Sequence, residues 1–285
     1  MTDAQPFSVL LPVYRGDRAE FLRRAFESAT IEQDRRPDEV VIVQDGPVGA
    51  PVAAYLAEIE ATSPVPVRVL RLEKNVGLAR ALEAGLEVCA HEVVARADAD
   101  DISVPGRFAA QLPLVEAGCD LVGAAIVEFE DDEHAPGVLR VLPTDPGEIA
   151  RYARFADPFN HPTVVYRRTA VRAAGGYQDL HLMEDYLLFA RMIANGAAVA
   201  NLAEPLVRYR TGAGSYARRG GTALLRSELA LQRTLRAEGF TSAGQFARNV
   251  LVRGGYRLVP EGVRRAAYRT MILRRRAGDE AGRAT

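Results

Sequence analysis

The sequence has only two cysteines and no long apolar run among its 285 residues. Stretches such as Leu121 to Val127 fall far short of the roughly 20 apolar residues needed to cross a bilayer, so we expect no membrane-spanning segment. The start, Met1 to Pro6, is polar and lacks the basic and apolar regions of a secretory signal. Isolated thiols at Cys89 and Cys119 predict neither a disulfide framework nor a metal cluster. We therefore expect a cytoplasmic protein.

Glycine-rich phosphate-binding motifs are also missing. No G-x-G-x-x-G follows the first predicted strand, and no G-x-x-x-x-G-K-[ST] occurs anywhere in the chain. A sugar nucleotidyltransferase would be expected to have a glycine-rich, basic nucleotide loop after its first strand. The segment P-V-Y-R-G-D, Pro12 to Asp17, offers no such loop, which argues against that class of enzyme.

Charge is distributed very unevenly, although the formal net charge is only −1. From Pro205 onward the chain has 17 arginines and 5 acidic residues, a charge of +12, which leaves 19 basic and 32 acidic residues and −13 before it. Such a basic end predicts a surface for anionic lipid, a phosphorylated ligand or nucleic acid. The tail has few aromatics for stacking on bases, and the acidic remainder would repel a polyanion, so we expect no nucleic-acid partner.

The first 130 residues alternate β-branched runs with helical patterns, which is typical of a mostly parallel sheet flanked by helices. The predicted strands are Phe7 to Val13, Glu39 to Val43, Val67 to Leu72, Glu92 to Ala97 and Asp120 to Phe129. The predicted helices are Ala19 to Glu32, Pro51 to Ala61, Val76 to Val88 and Pro105 to Ala117. In open sheets of this type, ligands bind beyond the carboxyl ends of the strands.

The second half is less regular. We predict a helix from Pro146 to Phe155, a strand from Thr163 to Tyr166, and a helix that begins near Glu184. From about Tyr216 the pattern predicts helices only, the last of them around Val263 to Leu273. These C-terminal helices are interpreted as an appendage to one larger domain.

The segment R-A-D-A-D-D, Arg96 to Asp101, follows the fourth predicted strand and gives the strongest functional signal. Its three carboxylates repel one another by about 1 kcal/mol or more per close pair unless a cation or hydrogen-bond donors compensate. Mg²⁺ and Mn²⁺ prefer oxygen ligands and usually combine one or two carboxylates with substrate phosphates. The alternative is a solvated acidic turn that caps the helix beginning near Pro105.

Other polar residues follow neighbouring strands. Asp45, at the end of the second strand, can accept a hydrogen bond from a ribose hydroxyl or a base N–H, or can be a simple turn residue. Asn75 and Arg80 begin the third helix, where amides and a guanidinium can face phosphates, although Asn75 is equally an N-cap. At the end of the first strand, a backbone and an aromatic ring can hold a base; the residues are Pro12, Val13 and Tyr14.

Two features of the second half complete the candidate site. Glu184 and Asp185 begin an amphipathic helix, where acids are also common for structural reasons. Opposite a diphosphate, a carboxylate of this pair would accept the proton of an attacking sugar hydroxyl. His161 precedes a predicted strand and either contacts substrate or is structural.

Together these residues resemble the family 2 glycosyltransferases, which have the glycosyltransferase A fold. The resemblance extends from about Phe7 to Arg210, and its motifs are weak alone but occur in the family's order and spacing. They are S-V-L-L-P-V-Y (Ser8 to Tyr14), V-I-V-Q-D-G (Val41 to Gly46), N-V-G-L-A-R-A-L (Asn75 to Leu82), R-A-D-A-D-D-I-S-V-P-G-R-F (Arg96 to Phe108), H-P-T-V (His161 to Val164), G-G-Y (Gly175 to Tyr177) and M-E-D-Y (Met183 to Tyr186).

The resemblance implies a metal-dependent, inverting transfer from a nucleotide sugar, with a UDP-sugar favoured and Mn²⁺ or Mg²⁺ as cofactor. It implies that Asp45 contacts the nucleoside, that Asp98 lies nearer the ribose, and that Asp100 lies on the metal and diphosphate. Asp185 would be the general base, with Glu184 positioning the acceptor. The full donor-binding set expected on this basis is Pro12, Val13, Tyr14, Asp45, Asn75, Arg80, Arg96, Asp98, Ala99 and Asp100, with Asp98 and Asp100 as the metal ligands.

Two departures from the family pattern are present. Gln44 replaces the first acid of the family's V-D-D-G, so a nucleoside contact there can differ. Many members also have a histidine shortly after the Y-R pair, whereas here Tyr209 and Arg210 are followed by T-G-A-G-S. We therefore hypothesise that Arg210, Arg218 or Arg219 serves the diphosphate or the acceptor instead.

The resemblance divides the chain into a catalytic domain, residues 1–215, and a basic helical region, residues 216–285. Residues 7–130 would form the nucleotide-sugar half and residues 131–215 the acceptor half. R-R-G-G at Arg218 to Gly221 is similar to bacterial members that extend saccharides on a polyprenyl-diphosphate carrier. The arginine-rich helices would then lie on an anionic membrane as a peripheral anchor, or would form only a soluble cap. Two competing functions are transfer of the sugar directly to a polyprenyl phosphate and a purely binding, non-catalytic role.

Overall fold

The expected alternation of strands and helices is present, in a computed structural model that describes residues 5–135, 137–211 and 222–255. The strands are β1 (Phe7–Tyr14), β2 (Glu39–Asp45), β3 (Val67–Arg71), β4 (Val93–Arg96), β5 (Ile102–Ser103), β6 (Leu121–Phe129), β7 (Val138–Arg140), β8 (Val165–Arg167) and β9 (Val199–Arg210). The helices are α1 (Ala19–Ala29), α2 (Ala50–Thr62), α3 (Leu78–Val88), α4 (Arg107–Glu116), α5 (Pro146–Tyr152), α6 (Arg168–Ala173), α7 (Glu184–Ala194), α8 (Thr222–Ala237) and α9 (Ala243–Asn249). A 3₁₀ turn, His161–Thr163, precedes β8, and a π-helical turn, Val250–Gly254, follows α9.

The chain divides into two compact units. The first consists of Met1–Leu180 and Glu184–Arg210, and the second of His181–Met183 and Thr211–Thr285. The strands β1 to β9 all belong to the first unit. In the second, the described residues form α8, α9 and the π-helical turn.

One mixed sheet organises the first unit, in the order β3-β2-β1-β4-β8-β6-β9-β5, with β7 paired to β6. The four strands β3, β2, β1 and β4 are parallel. β8 runs antiparallel to both β4 and β6, while β9 runs parallel to β6. The carboxyl ends of β1, β2 and β4 therefore meet at one edge, which is where this sheet type binds ligands.

Helices cover both faces of the sheet, and the alternation of side chains along β1 shows how. Phe7, Val9 and Leu11 are buried in one apolar cluster with residues of α1, α2 and α4, whereas Leu10 is buried in the other cluster with residues of α3 and α7. Because successive side chains of a strand point to opposite faces, a strand covered on both sides reads as a continuous apolar run. The α/β fold class expected from the sequence is thus confirmed.

The predicted elements of the first half are present with bounds shifted by up to three residues, and for two helices the shift has a clear local cause. α1 ends at Ala29 rather than Glu32, because Thr30 leaves helical geometry and its hydroxyl donates to the carbonyl of Phe26. α3 begins at Leu78 rather than Val76, because the amides of Val76 and Gly77 both donate to Asp45. In each case a polar side chain competed with the helical backbone for its hydrogen bonds.

The longest strand, β9, was not predicted. The Glu204-Pro205 pair within it reads as a breaker, but proline is tolerated in a strand at a bulge. The pairing of β6 with β9 shifts register on both sides of Ala125, which lies opposite Pro205. The register shift therefore accommodates the proline without ending the strand. β9 continues to Arg210, beside the end of β4.

The described part of the second unit is helical, as expected. α9 begins with a capping box, in which Ser242 and Gln245 exchange side-chain and backbone hydrogen bonds. The buried carboxylate of Glu228 on α8 is held by Arg253 of the π-helical turn at 2.6 and 3.1 Å. No helix among the described residues is both long and apolar enough to cross a membrane. The helix predicted around Val263 to Leu273 lies outside the described residues.

Candidate active site

Three carboxylates converge immediately beyond β4. Asp98, Asp100 and Asp101 each offer an oxygen atom, and these atoms all lie within 4.8 Å of one another. The chain leaves the sheet here, since the Ala97 amide makes a last bond, 3.0 Å, to the carbonyl of Leu10 on β1. Oxygen atoms clustered at this spacing are the kind of ligand set that a hard divalent cation such as Mg²⁺ or Mn²⁺ takes. The residues present thus fit a divalent metal.

Arg96, the last residue of β4, lies beneath this cluster. Its side chain is only 2% exposed and forms an ion pair with Asp98. Its backbone carbonyl accepts a hydrogen bond of 2.7 Å from the buried guanidinium of Arg107. Burial, with the charge of Arg96 nearby, lowers the pKa of Arg107 to about 9. Arg96 was predicted to contact the donor; in the structure its buried guanidinium forms its ion pair with Asp98 and so compensates part of the charge of the acidic loop.

Asp101 holds the loop in place. One of its carboxylate oxygens accepts a 2.8 Å hydrogen bond from the amide of Arg210 at the end of β9. Burial, together with the charges of Asp98 and Asp100, raises the pKa of Asp101 well above its ordinary value. Asp101 is buried, whereas Asp98 and Asp100 are half-buried. The last two are therefore the carboxylates that remain accessible to a ligand.

Arg210 is held on the inner side of the same loop. Its Nε donates to the carbonyl of Asp100 at 3.1 Å, and its guanidinium stacks on the rings of Phe21 at 4.1 Å and Phe129 at 4.4 Å. These contacts tie β9 to the acidic loop. The other two arginines hypothesised to reach phosphate, Arg218 and Arg219, lie outside the described residues.

An acid that the sequence analysis did not select faces the cluster from the loop after β1. The Asp17 carboxylate accepts a hydrogen bond of 2.8 Å from the amide of Tyr14. Burial raises the pKa of Asp17 to about 7, the Tyr14 bond opposes the shift, and the charges of Asp100 and Asp98 add to it. The position of Asp17 just after the first strand was the available signal, since the end of β1 lies at the same sheet edge as the end of β4.

Asp45, at the end of β2, is already engaged by the start of α3. Its carboxylate accepts hydrogen bonds from the amide of Val76 at 2.6 Å, the amide of Gly77 at 3.0 Å and the side chain of Asn75 at 2.8 Å. Gly46 follows with φ of +81°, and a Cβ there would lie 2.5 Å from the Asn75 amide nitrogen. Asp45 therefore fixes the β3 to α3 loop at the sheet edge.

The remaining donor-side residues differ in exposure. Val13 is buried, so only its backbone is available to a ligand, while the ring of Tyr14 is exposed and lies over Gly16. Arg80 is exposed and forms an ion pair with Asp179 at 3.1 Å. Pro12 is half-buried beside them, and Ala99 is buried within the acidic loop.

Glu184 and Asp185 begin α7 on the acceptor side. Glu184 is buried, whereas the side chain of Asp185 is half-buried. Burial raises the pKa of Asp185, and the nearby charge of Arg96 acts in the opposite direction. His161 of the 3₁₀ turn is buried with its Nδ1 3.7 Å from a carboxylate oxygen of Asp185. Arg96 thus lies close to both acidic groups, the loop after β4 and the start of α7.

Comparison with known proteins gives a matching family model and relatives that are similar over almost their whole length. The protein-family model described as Glycosyl transferase family 2 matches residues 8–173. The amylovoran biosynthesis glycosyltransferase AmsE of Erwinia amylovora is 39% identical over 267 residues, which cover 92% of this chain and 97% of that protein. The UDP-Gal:α-D-GlcNAc-diphosphoundecaprenol β-1,3-galactosyltransferase of Escherichia coli is 32% identical over 277 residues, with 96% and 99% coverage.

Solved structures show the same fold. The structure of S. aureus TarS 1-349 in complex with UDP-GlcNAc superposes with a TM-score of 0.65 at 17% identity, covering 82% of this chain and 66% of that one.

Proposed function

Because the chain belongs to glycosyltransferase family 2, we propose that it transfers a sugar, with inversion, from a nucleotide sugar to a hydroxyl of a lipid-linked saccharide. The observation that carries this proposal is the cluster of Asp98, Asp100 and Asp101 at the carboxyl end of β4, with Asp185 facing it from α7. A UDP-sugar is the favoured donor, and bacterial polysaccharide biosynthesis is the favoured pathway class.

On the donor side, Asp98 and Asp100 would hold Mn²⁺ or Mg²⁺. Such an ion neutralises the charge that develops on a departing nucleoside diphosphate. Asp101 and Arg210 keep the loop in the conformation that presents the two accessible carboxylates. Arg96, buried below, limits the repulsion among these acids and holds Asp98 by its ion pair.

The nucleoside would lie across the ends of β1 and β2. Asp45 and Asn75 fix the loops on one side of this region by their mutual hydrogen bond, and the exposed ring of Tyr14 offers a stacking surface on the other. Backbone groups of Pro12 and Val13 and the side chain of Arg80 complete the proposed donor contacts. Asp17 is close enough to the acidic loop to belong to the same set.

On the acceptor side, Asp185 would accept the proton of the attacking sugar hydroxyl. The new bond forms at the anomeric carbon as the bond to the diphosphate oxygen breaks, so attack from the opposite face inverts that carbon. Arg96 favours the ionised form of Asp185, which a base requires, against the effect of burial. Glu184, adjacent and buried, would position the acceptor.

The lipid-linked acceptor and the membrane are supported by the relatives and by the second unit. The E. coli relative is named for a GlcNAc-diphosphoundecaprenol acceptor, and the match covers nearly all of both chains. In the second unit, Leu251 and Val252 are 76% and 57% exposed, and Arg248 on α9 is exposed as well. With the charge of +12 from Pro205 onward, these residues suit an anionic lipid surface on the cytoplasmic side of the membrane.

A donor and acceptor screen tests the proposal. The protein is incubated with Mn²⁺ and a panel of UDP-, GDP- and TDP-sugars, with and without GlcNAc-diphospholipid and polyprenyl phosphate, and nucleoside diphosphate release is measured. We expect release that depends on one donor and on the diphospholipid, and that is lost in Asp185→Asn but kept in the control Glu116→Gln, an exposed acid at the end of α4. Turnover that survives Asp185→Asn would refute the assigned base, and turnover only with polyprenyl phosphate would refute the assigned acceptor.

A further inference from the structure

A buried row of polar side chains extends from Asp185 and consists of His161, Tyr177 and Tyr166. The Nδ1 atom of His161 is 3.7 Å from a carboxylate oxygen of Asp185, and its Nε2 atom is 2.9 Å from the hydroxyl of Tyr177. That hydroxyl lies 3.5 Å from the hydroxyl of Tyr166 on β8. The row therefore begins at the proposed base and ends in the core.

The imidazole ring in this row is fixed in orientation. It lies in a 3₁₀ turn, and the ring of Phe189 packs against it edge-to-face at 5.9 Å between centroids. The ring of Tyr177 packs on it at 5.7 Å. Since His161 and both tyrosines are buried, little of the ring is available to a substrate.

Protonation of the row follows from its burial. Burial and the charge of Arg96 lower the pKa of His161 well below its ordinary value, so the ring is neutral near pH 7. Burial likewise raises the pKa of Tyr177 well above its ordinary value, so its hydroxyl keeps its proton. A neutral imidazole has one N–H donor and one acceptor nitrogen.

Only one tautomer suits both neighbours. If the Tyr177 hydroxyl donates to Nε2, Nδ1 carries the hydrogen and presents a donor to the Asp185 carboxylate. The opposite tautomer would turn a nitrogen lone pair toward that carboxylate, which is repulsive. The Tyr177 hydroxyl has one hydrogen and two possible acceptors, Nε2 of His161 at 2.9 Å and the hydroxyl of Tyr166 at 3.5 Å. The Nδ1–H tautomer requires that this hydrogen goes to the imidazole, which is the nearer of the two.

We propose that His161 is a positioning residue for Asp185, with Tyr177 fixing its Nδ1–H tautomer and that N–H holding the carboxylate toward the acceptor hydroxyl. This inference rests on the proposed function, in which Asp185 is the base. The distance of 3.7 Å exceeds a hydrogen bond, and such contacts are often long before substrate binds and shorten in the complex. His161 then acts through Asp185 rather than on substrate.

The tautomer is measured directly by long-range ¹H–¹⁵N NMR on the protein labelled at histidine. The His161 signals are assigned by their loss in His161→Asn, with the exposed His134→Asn as a matched control. We expect an Nδ1–H imidazole that stays neutral at pH 6.5, and a change in its shifts or tautomer in Tyr177→Phe. An Nε2–H tautomer, or a ring that is charged at pH 6.5, would overturn the inference whether or not turnover is observed.

Two amide substitutions of His161 test the contributions of its two ring nitrogens separately in kinetic assays. Asparagine places its amide near the position of Nδ1, and glutamine places its amide near that of Nε2. With UDP-galactose, Mn²⁺ and a GlcNAc-diphospholipid, we expect His161→Gln to lower kcat by about 100-fold, as misplacement of a catalytic group does. His161→Asn should retain roughly tenfold more of kcat than His161→Gln, with the KM values within about threefold of the parent.

The outcomes distinguish this inference from the proposed function. Equal losses in His161→Asn and His161→Gln, or a loss confined to KM, would show a structural or substrate-binding histidine while leaving Asp185 as the base. Full activity of Asp185→Asn would refute the base itself and with it the role assigned to His161.

Discussion

The change Asp100→Asn should stabilise the cation-free protein while it removes the response to metal. Asp98, Asp100 and Asp101 have oxygen atoms within 4.8 Å of one another, and Asp101 is buried. In the absence of a cation the folded protein must hold the charges of Asp98 and Asp100 together, beside an Asp101 whose pKa is raised by burial and by both of them, whereas the unfolded chain separates all three. Removal of one charge relieves that repulsion, and asparagine preserves the shape of the side chain.

The size of the effect follows from the distance. Two unit charges 4.8 Å apart repel by about 3.5 kcal/mol at an effective dielectric constant of 20 and by about 0.9 kcal/mol in water. Asp98 and Asp100 are half-buried, and Arg96 compensates part of the charge, so the lower part of that range applies. We expect about 1 to 2 kcal/mol of stabilisation, which corresponds to a rise in Tm of roughly 2 to 8 °C.

Differential scanning calorimetry in EDTA and in millimolar Mn²⁺ measures both effects. The parent should gain stability with Mn²⁺, by about 2.7 kcal/mol at a concentration 100 times its Kd, whereas Asp100→Asn should gain little. Glu116→Gln removes one exposed charge at the last residue of α4, outside the acidic loop, and should follow the parent in both buffers. An Asp100→Asn protein that is no more stable than the parent in EDTA, and that still responds fully to Mn²⁺, would refute the reasoning.

Three further outcomes are expected. Because the pKa of Asp17 is raised to about 7, the folded protein keeps a proton that the unfolded chain releases near pH 4. The free energy of unfolding should therefore fall as the pH rises from about 4 to 7. Denaturant titrations across this range should show a weaker dependence of that free energy on pH in Asp17→Asn than in the parent. Gly46→Ala should cost about 1 to 3 kcal/mol in urea unfolding, because Gly46 has φ of +81° and a Cβ there meets the backbone of Asn75; an unchanged midpoint would contradict this. The double change Leu251→Asp and Val252→Asp should reduce sedimentation with phosphatidylglycerol vesicles, whereas equal sedimentation with the parent would argue against the proposed membrane surface.

The sheet and its ligand-binding edge could be predicted because their signals are local. β1, β2 and β4 are buried on both faces and read as apolar runs, and the acids of the loop after β4 follow directly in sequence. β9 could not be predicted in this way, because a Glu-Pro pair interrupts its pattern. The strand is stabilised by pairing with β6, which is distant in sequence, and a register shift in that pairing accommodates the proline. Pairing between distant segments of the chain determines that strand, and local composition does not indicate such pairing.

The candidate site likewise contains residues that could be predicted from local sequence and residues that depend on long-range packing. Asp98 and Asp100 follow the end of β4 and Asp185 lies in the first turn of α7, so these positions, together with the family resemblance, made them candidates. Asp17 also follows a strand, but the charges that act on it are those of Asp98 and Asp100 in the loop after β4, which is distant in sequence, so its place in the site could not be predicted. The burial of Arg96, and the row from His161 to Tyr177, likewise depend on packing between elements far apart in sequence.

Binding of UDP in the presence and absence of Mn²⁺, measured by isothermal titration calorimetry, tests the central claim most directly. If the acids beyond β4 hold a cation that binds the donor diphosphate, Mn²⁺ should strengthen UDP binding to the parent by at least about tenfold, and Asp100→Asn should remove that gain. Equal affinity for UDP in EDTA and in Mn²⁺, or an undiminished gain in Asp100→Asn, would contradict the account.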